Sequence, residues 1–386
     1  MYIKQSIFVL SIAALLTGCG GGGATGTASS EVVQTTPQQT GNATATTETA
    51  SNTSPTAKKV TAIHQGQVKE STTGKGIANV KVRIGDASTV TDENGYYTLS
   101  SLDASEDAVV TFEKEGYLEG SRHIQLKSFS EENNTSNYLE YAMYTYDYQY
   151  STKSTKEIRS PRIHLNASAY ADMKGNPVDG NISVKLTILD PNEKEFLTAF
   201  PGEFKGIDSN GVTEQFKSFG LISFFIEDMQ GNALTLQEGE TATLRFISVS
   251  LKEKPDTLPL WYYDYEQGVW LEDGYAQLQD DGSYKGEISH FGTWSLNKPL
   301  EEEAGIYRGR IVNEDGSPMS DVRLQAIGTN WISSDLSTDE DGFFEIKVIP
   351  GSSFKLTAYD YKDKFGASYN GTIAAIASGD VVDDKI

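Results

Sequence analysis

Beyond about residue 60 the chain is patterned in short runs where apolar and polar residues alternate. Val80, Val82 and Ile84 alternate with Lys81 and Arg83; Ile182, Val184, Leu186 and Ile188 alternate in the middle; Val322, Leu324 and Ala326 alternate with Arg323 and Gln325. A period of two sends successive side chains to opposite faces of a strand, one buried and one wet. Gly, Asn and Asp punctuate the runs, and no long stretch places apolar residues at helical spacing. The pattern predicts an all-β chain of tandem β-sandwich modules with short strands and tight turns.

The first and last thirds repeat one another. Gly66-Gln67-Val68, Gly74, Val80 and Thr91-Asp92-Glu93-Asn94-Gly95-Tyr96-Tyr97 are answered by Gly309-Arg310-Ile311, Gly316, Val322 and Thr338-Asp339-Glu340-Asp341-Gly342-Phe343-Phe344, at an offset of about 245 residues. Asn94-Gly95 and Asp341-Gly342 have the chemistry of hairpin turns that need a positive φ, with an aromatic pair opening the next strand. The acidic residues around them lack the further ligands and the distant Glu of a calcium loop, so a turn is expected there and no metal.

At these residues the chain resembles the carboxypeptidase regulatory-like domain, over about residues 60–127 and 304–386. That resemblance implies a transthyretin-like sandwich of about seven strands at each end, and an analogy with starch-binding-like sandwiches that suggests carbohydrate at fold level only. The stretch 155–299 carries Leu258-Pro259-Leu260-Trp261-Tyr262-Tyr263-Asp264 and His290-Phe291-Gly292-Thr293-Trp294. It is similar to a β-rich domain of uncharacterised bacterial surface proteins. The expected order is therefore a leader at 1–18, a tether at 19–59, a first sandwich at 60–150, a central β-rich domain at 155–299 and a second sandwich at 304–386.

The N-terminus changes the picture from a set of modules to an anchored one. Lys4 supplies a positive start, Ile7 to Leu16 an apolar stretch of about ten residues, and Thr17-Gly18 compact residues before Cys19. A membrane span needs about 20 residues, so this order reads as a signal peptide. Leu16-Thr17-Gly18-Cys19 resembles the lipobox of bacterial lipoproteins. The resemblance implies cleavage before Cys19, diacylglycerol on its sulfur and an acyl chain (palmitate) on its amine, and Gly20 in place of Asp implies sorting to the outer membrane. Two or more acyl chains hold a membrane stably where one does not. The Gly, Thr, Ser, Ala, Gln and Asn that follow cannot bury enough surface to fold, which predicts a disordered tether with a reach of roughly 35 Å.

Cys19 is the only cysteine, so every module must hold together without disulfides. The formal charge of −22 repels nucleic acid and anionic headgroups, which excludes nucleic acid as a partner. The four histidines, at 64, 123, 164 and 290, have no zinc-ligand spacing. No G-x-S-x-G, H-E-x-x-H or P-loop pattern occurs, the glycine run Gly20 to Gly23 belongs to the tether and not to a phosphate loop, and no cofactor is expected. Two carboxylates meeting only in three dimensions leave a glycan hydrolase as a remote alternative.

Aromatic residues are the candidate binding groups. Tyr144, Tyr146, Tyr148 and Tyr150 fall on one face of a strand, as a ladder that either stacks on sugar or protein or covers a junction between modules. Trp331, in the loop Gly328-Thr329-Asn330, is expected to be exposed, whereas Trp261 and Trp270 are expected to pack across a hairpin. The function these features point to is a non-catalytic, membrane-anchored cell-envelope lipoprotein. Its sandwiches serve as spacers and present a surface to an envelope protein or a polysaccharide, with carbohydrate binding as the alternative.

Overall fold

The computed structural model describes residues 8–9, 61–128 and 137–383, the last run without 194, 248, 250, 252–253, 334–335, 361–364 and 369–371. Cys19, the tether and all but two residues of the leader lie outside the described residues. Among those described the chain is nearly all β, with one helical turn at Phe196–Ala199, as the alternation predicts.

Two sheets form the first sandwich. One has the order Tyr96–Asp103, Thr61–Glu70, Asn137–Met143, with the last pair parallel; the other has the order Ala87–Val90, Lys81–Ile84, Ser105–Glu113, Gly120–Leu126, antiparallel throughout. Alternate residues of each strand turn inward, so Val68, Val82, Leu99, Val110 and Phe112 meet in one apolar core.

The last third repeats this order strand for strand. Phe343–Val348, Gly305–Val312 and Val381–Asp383 make one sheet, again with its last pair parallel, and Leu336–Ser337, Arg323–Gly328, Phe354–Asp360 and Phe365–Ser368 make the other. The repeat extends to single atoms. The buried hydroxyl of Thr91 donates to Ile77 O and accepts from Val80 N; that of Thr338 donates to Met319 O and accepts from Val322 N. Gly95 and Gly342 hold φ of 82° and 80°, and a Cβ on either would lie 2.3–2.4 Å from a backbone oxygen, so the turn tolerates only glycine there.

Each acidic turn closes on itself. The Asp92 carboxylate accepts from Asn94 N and Tyr96 N, and Asp339 accepts from Asp341 N and Phe343 N. The same device recurs at Asp172, Asp208 and Asp228 in the middle of the chain. Donated N–H bonds stabilise the ionised carboxylates of these three and hold them below the usual carboxylate range.

The central part is an eleven-stranded sheet. It runs Ile158–Arg159, Ile163–Leu165, Ala242–Phe246, Tyr284–Ile288, Val269–Leu278, Thr257–Asp264, Gly292–Pro299, Thr213–Asp228, Asn181–Leu189, Tyr148–Lys153, with Lys205–Ile207 paired to Thr213–Asp228 and Val269–Leu278. Strands from its two ends share one apolar core, in which Leu165, Leu244 and Ile288 meet Val184, Phe224 and Trp294. The long strand Thr213–Asp228 serves two cores because its register slips between Ser218 and Leu221. One extra residue reverses the faces. Before the slip Phe216 packs on Trp261 and Trp270; after it Ile222 and Phe224 face the core of Trp294 and Leu296.

The other face of this sheet is polar and fully buried. Ser218 bonds Ser295, Ser295 donates to Gly220 O and Asn297 Oδ1, Thr293 donates to Ser223, and Tyr265 bonds Thr293.

Candidate functional site

The tyrosine ladder is not one surface. Asn137–Met143 ends before Tyr144, and the next strand, Tyr148–Lys153, belongs to the central sheet, where it pairs with Asn181–Leu186 at the open edge. The chain is redirected at Asp147, whose carboxylate accepts the Ile188 N–H at 2.6 Å and the Tyr144 hydroxyl at 3.3 Å. Residues 148–150, read from the sequence as the end of the first sandwich, are therefore part of the central sheet. An unbroken period of two hides a change of sheet.

The four rings consequently divide into two pairs. Tyr144 and Tyr146 are half-buried where the first sandwich meets the central sheet. Lys185 Nζ stands 5.7 Å from the centre of the Tyr146 ring. Burial and the charge of Asp147 push the Tyr144 hydroxyl up to about 12, and burial with the charges of Glu227, Glu119 and Glu113 raises that of Tyr146. Tyr148 and Tyr150 are 57% and 45% exposed, on the face shared by their partners Leu186 and Val184. Two rings rather than four are free to meet a ligand.

Trp331 corrects a further expectation. It is 1% exposed, its Nε1 donates to Ser352 Oγ at 3.0 Å, and its ring packs on Phe354 and across Gly328. The loop Gly328-Thr329-Asn330 is a tight turn, with Asn330 at φ 66° and Gly328 N donating to Trp331 O, and it folds the indole back into the core. Trp261 and Trp270 are also fully buried, as expected.

The histidines are engaged in structure. His64 Nε2 lies 3.0 Å from the Tyr97 hydroxyl, and His164 Nε2 lies 2.5 Å from Glu157. His290 Nδ1 bonds Phe291 O at 3.0 Å, and its ring rests on Tyr262 and Trp294. His123 bridges modules: Nδ1 is 2.5 Å from Asp107 Oδ1, and Nε2 is 3.1 Å from the carbonyl of Gly268 in the central sheet. Among the described residues no group of three or more His, Cys, Asp or Glu is placed to hold a metal ion.

Sequence reading missed the junction that His123 helps to form. Ser121 Oγ lies 2.5 Å from Tyr263 Oη, Gly202 N donates to Ser121 O, and Leu118 enters the aromatic cluster of Phe196, Phe200 and Trp270. Trp270 Nε1 donates to Pro201 O beneath it. Lys127 bonds Asp321, and Ser218 N reaches Asn330 O, so the last sandwich is fastened as well. Such partners lie between 69 and 194 residues apart in the chain, and no local pattern announces them.

Beside the junction is an open groove of about 740 Å³, lined in part by Arg83, Asp86, Asp103, Asp107 and Glu266 and in part by apolar residues such as Leu102 and Val109. It gathers the carboxylates that a glycan hydrolase would need. Asp107 is engaged by His123, however, and the one carboxylate in the neighbourhood that is pushed up to about 7, Glu119, lines the junction and not the groove. Burial raises Glu119 and Glu113 adds to the rise, opposed by Arg83 and Lys81; Glu266 raises it further.

Residues 65–136 match the carboxypeptidase regulatory-like domain, so one such domain lies in the first sandwich. Cartilage intermediate layer protein 2 of Homo sapiens is 26% identical over 110 residues, covering 28% of this chain and 9% of that protein. Cartilage intermediate layer protein 1 of Mus musculus is 22% identical over 130 residues, covering 33% and 11%. The chain thus spans about a tenth of the length of these relatives. Among solved structures, the major pilin subunit of Bacillus cereus aligns over 83% of this chain and 97% of its own at 13% identity, with a TM-score of 0.19. A membrane-associated protein of unknown function from Bacteroides fragilis aligns over 62% and 98% at 9% identity, with a TM-score of 0.18.

Proposed function

We propose that this chain is a non-catalytic cell-envelope lipoprotein, anchored through Cys19 in the outer membrane, whose interlocked sandwiches present a binding surface beyond a flexible tether. The second sandwich, 304–386, is in this reading another carboxypeptidase regulatory-like domain, since it repeats the strand order and the buried threonine of the first. The observation that carries the non-catalytic reading is the engagement of its polar groups. All four histidines and the turn aspartates are bonded into structural contacts, where a catalytic base must be free to meet a substrate. Capture from solubilised envelopes tests the reading: a partner retained by the full chain supports it. A protein that retains none, together with a deletion that changes nothing in the cell, contradicts it.

One observation favours a carbohydrate over a protein ligand. Tyr148 and Tyr150 expose two amphipathic rings, two residues apart on one face, a spacing on which a sugar chain can stack. Saturable glycan binding that is lost in Tyr148→Ala/Tyr150→Ala and kept in Tyr144→Ala would establish it. Glycan binding that survives the double substitution would rule this pair out.

A further inference from the structure

The central sheet ends in two edges that are built differently. At one, Ile158–Arg159 is two residues long and flanked by bonded charge, with Glu157 Oε1 2.6 Å from Arg159 Nη2 and 2.5 Å from His164 Nε2. Short length and charge keep a sheet edge from pairing with another chain. The other edge, Tyr148–Lys153, is six residues long, in unbroken register with Asn181–Leu186, and holds no proline and no carboxylate. Each of its residues but Thr152 is exposed, and among the described residues no strand pairs with its outer side. Apolar groups stand on both faces. Tyr148 and Tyr150 lie on one; on the other is Met229, 53% exposed, with its Sδ 3.5 Å from Ser151 Oγ.

This edge is also complementary to itself. Ser154 N donates to Gly180 O, so by strand alternation the backbone groups of Tyr148, Tyr150 and Thr152 point toward Asn181–Leu189, and those of Gln149, Ser151 and Lys153 point outward. We propose that Tyr148–Lys153 is a dimer edge, at which a second copy of this chain adds the same strand antiparallel and joins the two central sheets. A twofold axis at Ser151 is the register that engages all three outward residues. Ser151 then meets Ser151 of the other copy, Gln149 meets Lys153, and Tyr150 lies opposite Thr152. No lysine faces a lysine, and the Lys153 end of each strand comes to the Asp147 end of the other. A chain of net −22 repels its copy wherever carboxylates meet, and this strand offers none. An edge of this length buries less than the roughly 1,200 Å² of a stable complex, so the dimer is weak and is strengthened by salt that screens the net charge. The inference holds whether or not Cys19 is lipidated and whether or not the rings stack on a sugar.

Disulfide trapping of the full chain in the cells that make it, with added oxidant, reads the register. Hydrogen-bonded residues of antiparallel strands have Cα atoms about 5.5 Å apart, within reach of a disulfide. Ser151→Cys should therefore give a two-chain product that reductant removes and that maps to position 151 on both chains. Gln149→Cys and Lys153→Cys each lie about 13 Å along the strands from their own counterpart. Alone they should trap at least about tenfold less, and expressed together they should trap as a pair. In detergent, sedimentation of the unsubstituted full chain should move from one chain toward two as its concentration rises from about 1 µM to about 1 mM, and further in high salt. Ser151→Pro removes only an outward N–H, and Ser151→Lys sets like charges opposite each other on the axis; both should stay single with an unchanged circular dichroism spectrum. An unsubstituted chain that stays single at every concentration overturns the proposal. So does trapping that is equal at 149, 151 and 153, the mark of crowding alone, and so does trapping of Ser151→Cys to an unlike polypeptide with no two-chain product.

Discussion

Trp331 illustrates what a single residue's neighbours in sequence do and do not reveal. Its loop of Gly, Thr and Asn has the composition of an exposed tip, yet Asn330 at φ 66° turns the chain so that the indole packs on Phe354 and bonds Ser352. Trp331→Ala is expected to lower stability by about 3–5 kcal/mol, as for other large-to-small changes in a core, and to leave any glycan binding by the folded protein unchanged. Denaturant unfolding with a parallel binding assay checks both. At Gly95 and Gly342, by contrast, the neighbours were sufficient, because a D-x-x-G turn is decided by its own backbone N–H groups and by the φ that glycine allows.

At the scale of elements, period-two patterning located strands well and their partners poorly. It anticipated the alternating burial of Thr61–Glu70 and the repeat between the two ends of the chain. It did not separate Tyr144 and Tyr146 from Tyr148 and Tyr150, because Asp147 redirects the chain without breaking the alternation. Nor did it announce the buried polar face of the central sheet, where serines and threonines that look solvent-facing in sequence bond one another instead. Ser295 is the hub of that face. Ser295→Ala leaves Ser218 and Asn297 each short of a buried partner and should cost about 1–3 kcal/mol, measurable as a lower denaturation midpoint with an unchanged m-value. Should Ser295→Ala prove neutral, the network would be contributing packing and not hydrogen-bond stability.

Over the whole molecule, charge governs behaviour, and the proposed anchoring adds to it. The turn carboxylates Asp172, Asp208 and Asp228 are held below their ordinary pKa, so their contribution is present above the usual carboxylate range and lost as the pH falls through their depressed values. Thermal unfolding followed by circular dichroism should therefore show stability falling below about pH 4, as these turns take up protons. The same acidic chain, at a net −22, is suited to standing off an anionic surface and not to lying on it, which agrees with a tethered position. The proposed anchoring rests on a short motif, Leu16-Thr17-Gly18-Cys19, and everything proposed about presentation depends on it. The direct test is metabolic labelling with a fatty acid, followed by membrane fractionation of wild type and Cys19→Ser. Labelled wild-type protein in the membrane fraction, with unlabelled and released Cys19→Ser, is the expected result. Membrane association and mobility that are unchanged by the substitution, with no label in either protein, would contradict the anchored-scaffold proposal.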